Sequence, residues 1–391
     1  MKAFIHQKDN WPEFTWNSND FLDLLSEARN LQGRLIGKME TLGFDLRNEA
    51  LLDTLTLDVL KSSEIEGEFF NPDQVRSSIA RRLGMEIAGA VDSDRSVEGI
   101  VEMILDATQK CFEPLTADRL FDWHAALLPT GRSGMYKITV ADWRKDTTGP
   151  MQVVSGAMGK EKVHFQAPNS DLVENEMTRF INWFNNYKTD LVIKAAIADL
   201  WFVTIHPFED GNGRITRALT DMLLAQADKS NQRFYSMSAQ IRLERKQYYE
   251  ILENTQKGNL DITAWIVWFL NCLINALKST DSILKKVLFK ADFWQKHIDT
   301  PINDRQRKLL NFLLDGFDGK LTSSKWAKIA KCSKDSAVRD INDLIEKAIL
   351  QKEPAGGRST NYELIGMPAG NNISETWSNH TSKREYFKSR K

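Results

Sequence analysis

Cysteine is scarce in this 391-residue chain, and its three copies, Cys111, Cys272 and Cys332, stand far apart in no metal-ligand spacing. An odd, scattered set excludes a disulfide framework and a structural zinc site, and it fits a reducing compartment. Proline is sparse as well, with ten residues, and 42% hydrophobic residues with eleven tryptophans suffice for packed cores. Long apolar runs are missing: no window approaches the roughly 18 residues of a membrane-spanning helix. Residues Met1 to Asn10 lack the apolar centre of a secretory leader. A cytoplasmic location without membrane contact is therefore expected. An excess of one charge is also absent, and a formal net charge of −1 provides no global pull toward nucleic acid.

What is present is helical periodicity over more length than one core fills, since single cores rarely grow beyond about 250 to 300 residues. Residues 1–95 read as an N-terminal helical region, with Leu51, Leu52, Leu55, Leu57 and Leu60 in a helix near 51–67. The main domain is expected over 96–280, a helical linker over 281–300, a small domain over 301–366 and a polar tail over 367–391. Within the main domain, Met151 to Phe165 sets short β-branched runs around a glycine-rich turn, the pattern of a hairpin. A hairpin alone is marginal, so it either packs on the helices or works as a flap whose free edge accepts an extended peptide.

The informative stretch is the almost wholly apolar helix Leu191 to Ile205, followed by His206-Pro-Phe-Glu-Asp-Gly-Asn-Gly-Arg-Ile-Thr-Arg217 and another amphipathic helix. Pro207 stops the first helix, and Gly211 and Gly213 permit a tight turn straight into the next N-terminus. Orphan N–H groups and the positive end of the helix dipole make such a start an anion site. Arg214 and Arg217 share one face of that first turn, where cations oppose the dipole by a few tenths of a kcal/mol up to about 1 each. A bound polyanion explains the pair better than stability does. Asp210 stands where a carboxylate can hold magnesium on phosphates, and His206 is the general base at hand. Taken singly, each of these residues is ordinary; together they fill twelve consecutive positions.

The segment resembles the signature of the Fic family, His-Pro-Phe-x-Asp/Glu-Gly-Asn-Gly-Arg-x-x-Arg, at every specified position. The resemblance implies a mainly α fold, a helical bundle with a β-hairpin flap. It implies that His206 takes the proton of a target hydroxyl, Asp210 binds Mg2+, Gly211, Asn212 and Gly213 cradle phosphates, and Arg214 and Arg217 hold the outer ones. AMP would pass from ATP to a Ser, Thr or Tyr hydroxyl of a protein, the chain itself included. By the same resemblance Val154, Ser155 and Gly156 of the flap lie beside the nucleotide and target, and Tyr248 and Gln256 contact the adenine side.

Upstream, Ser62-Ser-Glu-Ile-Glu66-Gly67 ends an apolar helix, with Glu64, Glu66 and Glu68 crowding its negative end, so a cation is expected to compensate them. The segment resembles the Ser/Thr-x-x-x-Glu-Gly inhibitory motif of one Fic class. That implies pairing of Glu66 with Arg217 in the place of the γ-phosphate, and in some relatives a role in removing AMP. In 301–366, three helices and two strands stand in the order of a winged helix-turn-helix, which that segment resembles. Asp335, Asp340 and Asp343 on the third helix would repel phosphates, and Lys352 and Arg358 are few, so protein docking is favoured over DNA. A homodimer is a further partner. The alternatives are a nucleotide-sensing DNA-binding regulator and a Fic phosphotransferase with another nucleotide donor.

Overall fold

Helices dominate the computed structural model, described over residues 4–87, 90–146, 149–156, 162–314, 321–353, 360–366 and 387–390. By its internal contacts the chain forms two compact units, one of Met1–Met85, Ala90–Asp281 and Arg384–Lys391, the other of Glu86–Gly89 and Ser282–Lys383. The N-terminal helices thus share a unit with the main helical block.

In the first unit, α1 (Leu22–Glu40) and α2 (Phe44–Ile65) lead into α3 (Pro72–Arg82), α4 (Arg95–Gln109) and α5 (Ala117–Leu127). Caps set their starts: Asn71, Asp94 and Thr116 each accept a hydrogen bond from a first-turn amide, and Pro72 follows Asn71 at the first helical position. The short ladder of β1 (Arg132–Ser133) and β2 (Tyr136–Lys137) precedes the hairpin of β3 (Gln152–Ser155) and β4 (Lys162–Gln166). Then come α6 (Ser170–Asn186), α7 (Leu191–Ile205), α8 (Asn212–Asp228), α9 (Met237–Leu243), α10 (Arg245–Gln256) and the long α11 (Thr263–Lys296), which continues beyond Asp281.

Helix α7 has no polar stripe, and every residue from Val192 to Ile205 is buried, as a helix apolar all round must be. It forms the axis of the unit. Trp265 of α11 donates its indole N–H to the Ala196 carbonyl at 2.7 Å, and α8 packs along it. The hairpin is packed at its base, where Met151, Phe165 and Ala167 form a small core joined by Phe4. Residues 157–161, between the two strands in sequence, lie outside the described residues. The edge of β3 is not free: β7 (Phe387–Arg390), from the far end of the chain, pairs with it antiparallel, giving the order β4-β3-β7.

The second unit carries α12 (Asp304–Leu314), α13 (Ser323–Ile329), α14 (Lys334–Glu346), β5 (Leu350–Lys352) and β6 (Tyr362–Leu364) around Leu309, Leu310, Trp326, Ile341 and Leu344. Arg358 lies outside the described residues. One reading of α14 needs correction. Asp340 is not on a solvent face but 4% exposed, because the guanidinium fork of Arg305 grips both its oxygens at 2.9 Å. Its charge is spent inside the unit, and Asp335 remains exposed.

Candidate functional site

The loop between α7 and α8 is held from all sides before any ligand is considered. Helix α7 ends on His206, whose backbone is left-handed at φ 52°, an uncommon state for a residue with a Cβ that needs surrounding structure to persist. Arg144, buried at 2% exposure, provides much of that structure. Its side chain donates from Nε to the His206 carbonyl at 2.8 Å and from Nη2 to the Pro168 carbonyl, and its amide donates to the Pro207 carbonyl at 2.9 Å. Phe208 is fully buried and stacks on His124, ring centroids 4.1 Å apart. Asn212 closes the turn: its Oδ1 accepts from the Phe208 amide at 2.9 Å and its Nδ2 donates to the Phe208 carbonyl at 2.7 Å. Gly211, at φ 84°, has no room for a Cβ, which would meet Leu127 Cδ2 at 2.9 Å.

The loop therefore delivers the start of α8 in one orientation. Gly211 caps that helix without a side-chain acceptor, so the first-turn amides point outward with the positive end of the dipole. Asp210 sits beside them, its Oδ1 accepting from the Gly211 amide at 2.6 Å and its Oδ2 from the Ser133 hydroxyl. His206 is 8% exposed and lies 3.3 Å from the Val203 carbonyl through Nδ1. A carbonyl only accepts, so Nδ1 carries the proton and Nε2 keeps its lone pair. Burial, and next the Arg144 charge, push the imidazole pKa down to about 4. At neutral pH His206 is an uncharged base.

The end of α2 reaches the same place from far away in sequence. Gly67 adopts φ 85°, its amide bonds the Glu64 carbonyl at 3.1 Å, and the Glu68 amide bonds the Ser63 carbonyl at 3.0 Å. This is a Schellman closure, and it turns the chain so that Glu68 follows Glu66 toward α8. Ser62 and Glu66, one helical turn apart, meet the same arginine. Arg217 donates from Nε to Ser62 Oγ at 2.9 Å, and from Nη2 to the Ser62 carbonyl at 2.8 Å and Glu66 Oε1 at 2.9 Å. Arg214 donates from Nη1 to Glu68 Oε2 at 2.5 Å, and Glu64 takes Lys61 at 2.7 Å and Arg242 at 3.4 Å. Each of the three crowded carboxylates thus has a cation. Gly213 is where they come closest: a Cβ there would lie 2.1 Å from Glu66 Oε1.

These parts line one cleft that opens to solvent. Glu66, His206, Asp210, Gly211, Asn212, Gly213, Tyr248 and Gln256 all contribute to it. Tyr248 is buried against Trp265 and Trp268, and Gln256 donates to Thr204 Oγ1 at 3.1 Å. On the hairpin Val153 of β3 and His164 and Phe165 of β4 line the cleft, whereas Val154 is buried and Gly156 adopts φ 105°. Sequence reasoning missed Arg144, Ser133, His164, Tyr249 and Glu253, which carry no local motif. Their only signal was residue type, a lone arginine or histidine near turns.

Both family models that match the chain fall within the first unit. The Fic/DOC family model matches residues 114–224, and a model described as a domain of unknown function (DUF4172) matches residues 4–85. The chain is 34% identical over 95 residues to a probable protein adenylyltransferase of Aquifex aeolicus, a stretch covering 24% of this chain and 27% of that one. It is 34% identical over 99 residues to the protein adenylyltransferase Fic of Drosophila mojavensis, covering 25% and 18% respectively. The matched part is thus about a quarter or less of these curated relatives. In fold the chain is similar to the crystal structure of a Fic family protein from Desulfovibrio desulfuricans G20, with a TM-score of 0.52 and 20% identity over 91% of this chain and 99% of that one. Residues 114–224 thus carry a Fic/DOC family domain, and the chain shares its fold with a Fic family protein.

Proposed function

We propose that the chain is a protein adenylyltransferase, moving AMP from ATP onto a protein hydroxyl, and that Glu66 holds it inactive. The observation that carries this reading is the Glu66 carboxylate seated on Arg217 and against Gly213, so that the chain's own anion fills the anion site at the start of α8. With Glu66 withdrawn, the α8 amides, Arg214 and Arg217 receive the β- and γ-phosphates. The α-phosphorus then lies toward His206, whose Nε2 takes the hydroxyl proton. The hydroxyl oxygen bonds phosphorus, the bond to the bridging oxygen breaks, and pyrophosphate leaves. Positioning and charge neutralisation carry most of the catalysis in such a transfer.

Among the described residues no cluster of three or more His, Cys, Asp or Glu forms a metal cage. The single carboxylate of Asp210 nonetheless fits magnesium, which often takes one or two carboxylates and completes its shell with phosphates and water. Asp210, aligned by Ser133 and the Gly211 amide, would hold it. When bound, the ion neutralises phosphate charge. The second unit serves protein docking in this reading. ATP labelled at the α- or γ-phosphate, with magnesium, tests the proposal on wild type, Glu66→Gly and Glu66→Gly/His206→Ala. Label is expected from the α position only, rising tenfold or more in Glu66→Gly, equivalent to about 1.4 kcal/mol. It falls by roughly 10² to 10⁴ without His206. ATP binding without transfer in any protein would overturn the reading.

A further inference from the structure

The cleft carries a polar group opposite in sign to its arginines, where α10 meets the hairpin. Glu253 and His164 line it there together with the apolar Val153, Phe165 and Leu252. His164 Nδ1 lies 2.6 Å from Glu253 Oε2, Lys257 donates to Glu253 Oε1 at 2.6 Å, and Ser155 Oγ lies 2.6 Å from His164 Nε2. The strand register explains how the imidazole reaches α10. Val153 opposes Phe165 but Val154 opposes Val163, so His164 is the extra residue of an irregularity. Such bulges bend a strand and re-aim a side chain, often beside active sites.

Burial would raise the Glu253 carboxyl, but hydrogen bonds from Lys257 and from His164 outweigh it and hold the group below the usual carboxylate range. At neutral pH it is an anion that only accepts, so His164 donates from Nδ1. A carboxylate offers about four acceptor positions, so one donor on each oxygen orients Glu253 without exhausting it. Its side chain is 24% exposed and lines the cleft, within reach of a ligand. The cleft is thus polarised along α10. Tyr249 feels the charges of Glu66 and Arg217, and the anionic Glu253 follows one turn later on the same face. Phosphates are drawn to the cationic start of α8 and repelled by Glu253, which leaves Glu253 to the uncharged portion of a nucleotide. Apolar packing alone would tie the hairpin to α10, whereas a carboxylate at a cleft wall needs donors to offset its desolvation when a ligand covers it.

We propose that Glu253 recognises the nucleoside of the bound nucleotide, accepting hydrogen bonds from its O–H or N–H donors while His164 holds the carboxylate in position. The inference rests on the adenylyltransferase reading, in which the phosphates occupy the start of α8. Adenosine offers two kinds of donor, the vicinal hydroxyls of the ribose and the exocyclic amine of the base, and both suit a group that only accepts. Acidic side chains hold ribose hydroxyls in this way in dinucleotide sites. A nucleotide without the recognised donor would leave a desolvated carboxylate unpaired, so Glu253 provides selectivity that an anion site reading phosphates alone lacks.

Equilibrium binding to the full-length Glu66→Gly protein, measured by calorimetry with magnesium, tests this. The probes are ATP, its 2′-deoxy and 2′,3′-dideoxy analogues, purine riboside triphosphate, which lacks the amine, and inorganic triphosphate. ATP is expected to bind about tenfold or more tighter than the analogue that lacks the recognised donor, the size of one hydrogen bond to a charged group. A gap for the deoxy analogues identifies the ribose as the source, and a gap for purine riboside triphosphate identifies the amine. Adding Glu253→Gln should close most of that gap and leave the affinity for inorganic triphosphate unchanged. His164→Ala should narrow the gap by a smaller factor, again with inorganic triphosphate unaffected. Equal affinity for ATP and every analogue, or a gap that survives Glu253→Gln, would overturn the proposal. So would an equal loss of ATP and inorganic triphosphate in that variant, the mark of a merely structural role. A gap unchanged in His164→Ala would remove the positioning role. ATP bound without transfer would sink the adenylyltransferase reading and leave the nucleoside contact standing, whereas absence of ATP binding would overturn both.

Discussion

The loop from His206 to Arg217 and the end of α2 that faces it make one site, yet they are held in different ways. On the loop, Arg214 and Arg217 expose 3% and 4% of their side chains, and Arg144, Phe208 and Asn212 fix the backbone through buried contacts. On α2, Glu66 and Glu68 expose 31% and 45%, and single ion pairs hold them. Buried networks are expensive to break, because a removed partner leaves a desolvated group unpaired. Partly exposed ion pairs are worth little and exchange readily with water or another anion. The difference suits the proposed roles, a rigid anion site and a carboxylate that can be displaced from it.

The contrast is sharpened most by cutting the loop itself. Arg144→Met takes the guanidinium donor from the His206 and Pro168 carbonyls and the ion-pair partner from Asp146, and should cost about 3 to 5 kcal/mol of stability in urea unfolding. A loss under about 1 kcal/mol would mean that other contacts hold the loop, and the contrast would fail. Next in size is pH. Since His206 is base-competent when neutral and burial disfavours its charged form, kcat/KM for transfer by Glu66→Gly should hold steady on acidification and fall only near its pKa of about 4. An acid limb near 6.5, the ordinary value for histidine, would show that His206 is not the buried base described here.

The smallest effect belongs to the outer pair. Glu68→Ala in an otherwise unchanged chain removes one partly exposed partner of Arg214 and should raise transfer less than about fivefold, matching a pair worth about 0.2 to 1 kcal/mol. An increase equal to that of Glu66→Gly, measured side by side, would place the two carboxylates on the same footing and erase the distinction between inner and outer pair.

Much of this was legible in the residues, and what was not shares one cause. The anion site could be read because its parts are contiguous: a proline that stops a helix, glycines that turn the chain, and two arginines where the dipole disfavours them. The crowded carboxylates of α2 signalled a missing cation for the same local reason. Arg144 with His206, Ser133 with Asp210 and His164 with Glu253 could not be read, since each pair is joined across 62, 77 and 89 positions by packing alone. The free hairpin edge was misjudged on the same account, its partner being the strand Phe387–Arg390. Asp340 looked like a surface charge until Arg305 was found gripping it.

By itself, then, the sequence determined the helical frame, the turn that opens α8 and the chemical types gathered on that loop, because these depend on backbone preference and spacing within a few turns. Only the tertiary structure decided which groups meet across the cleft. Which carboxylate reaches which arginine, which imidazole is backed by a carboxylate and which strand covers an edge are set by how the buried faces of distant helices and strands fit together.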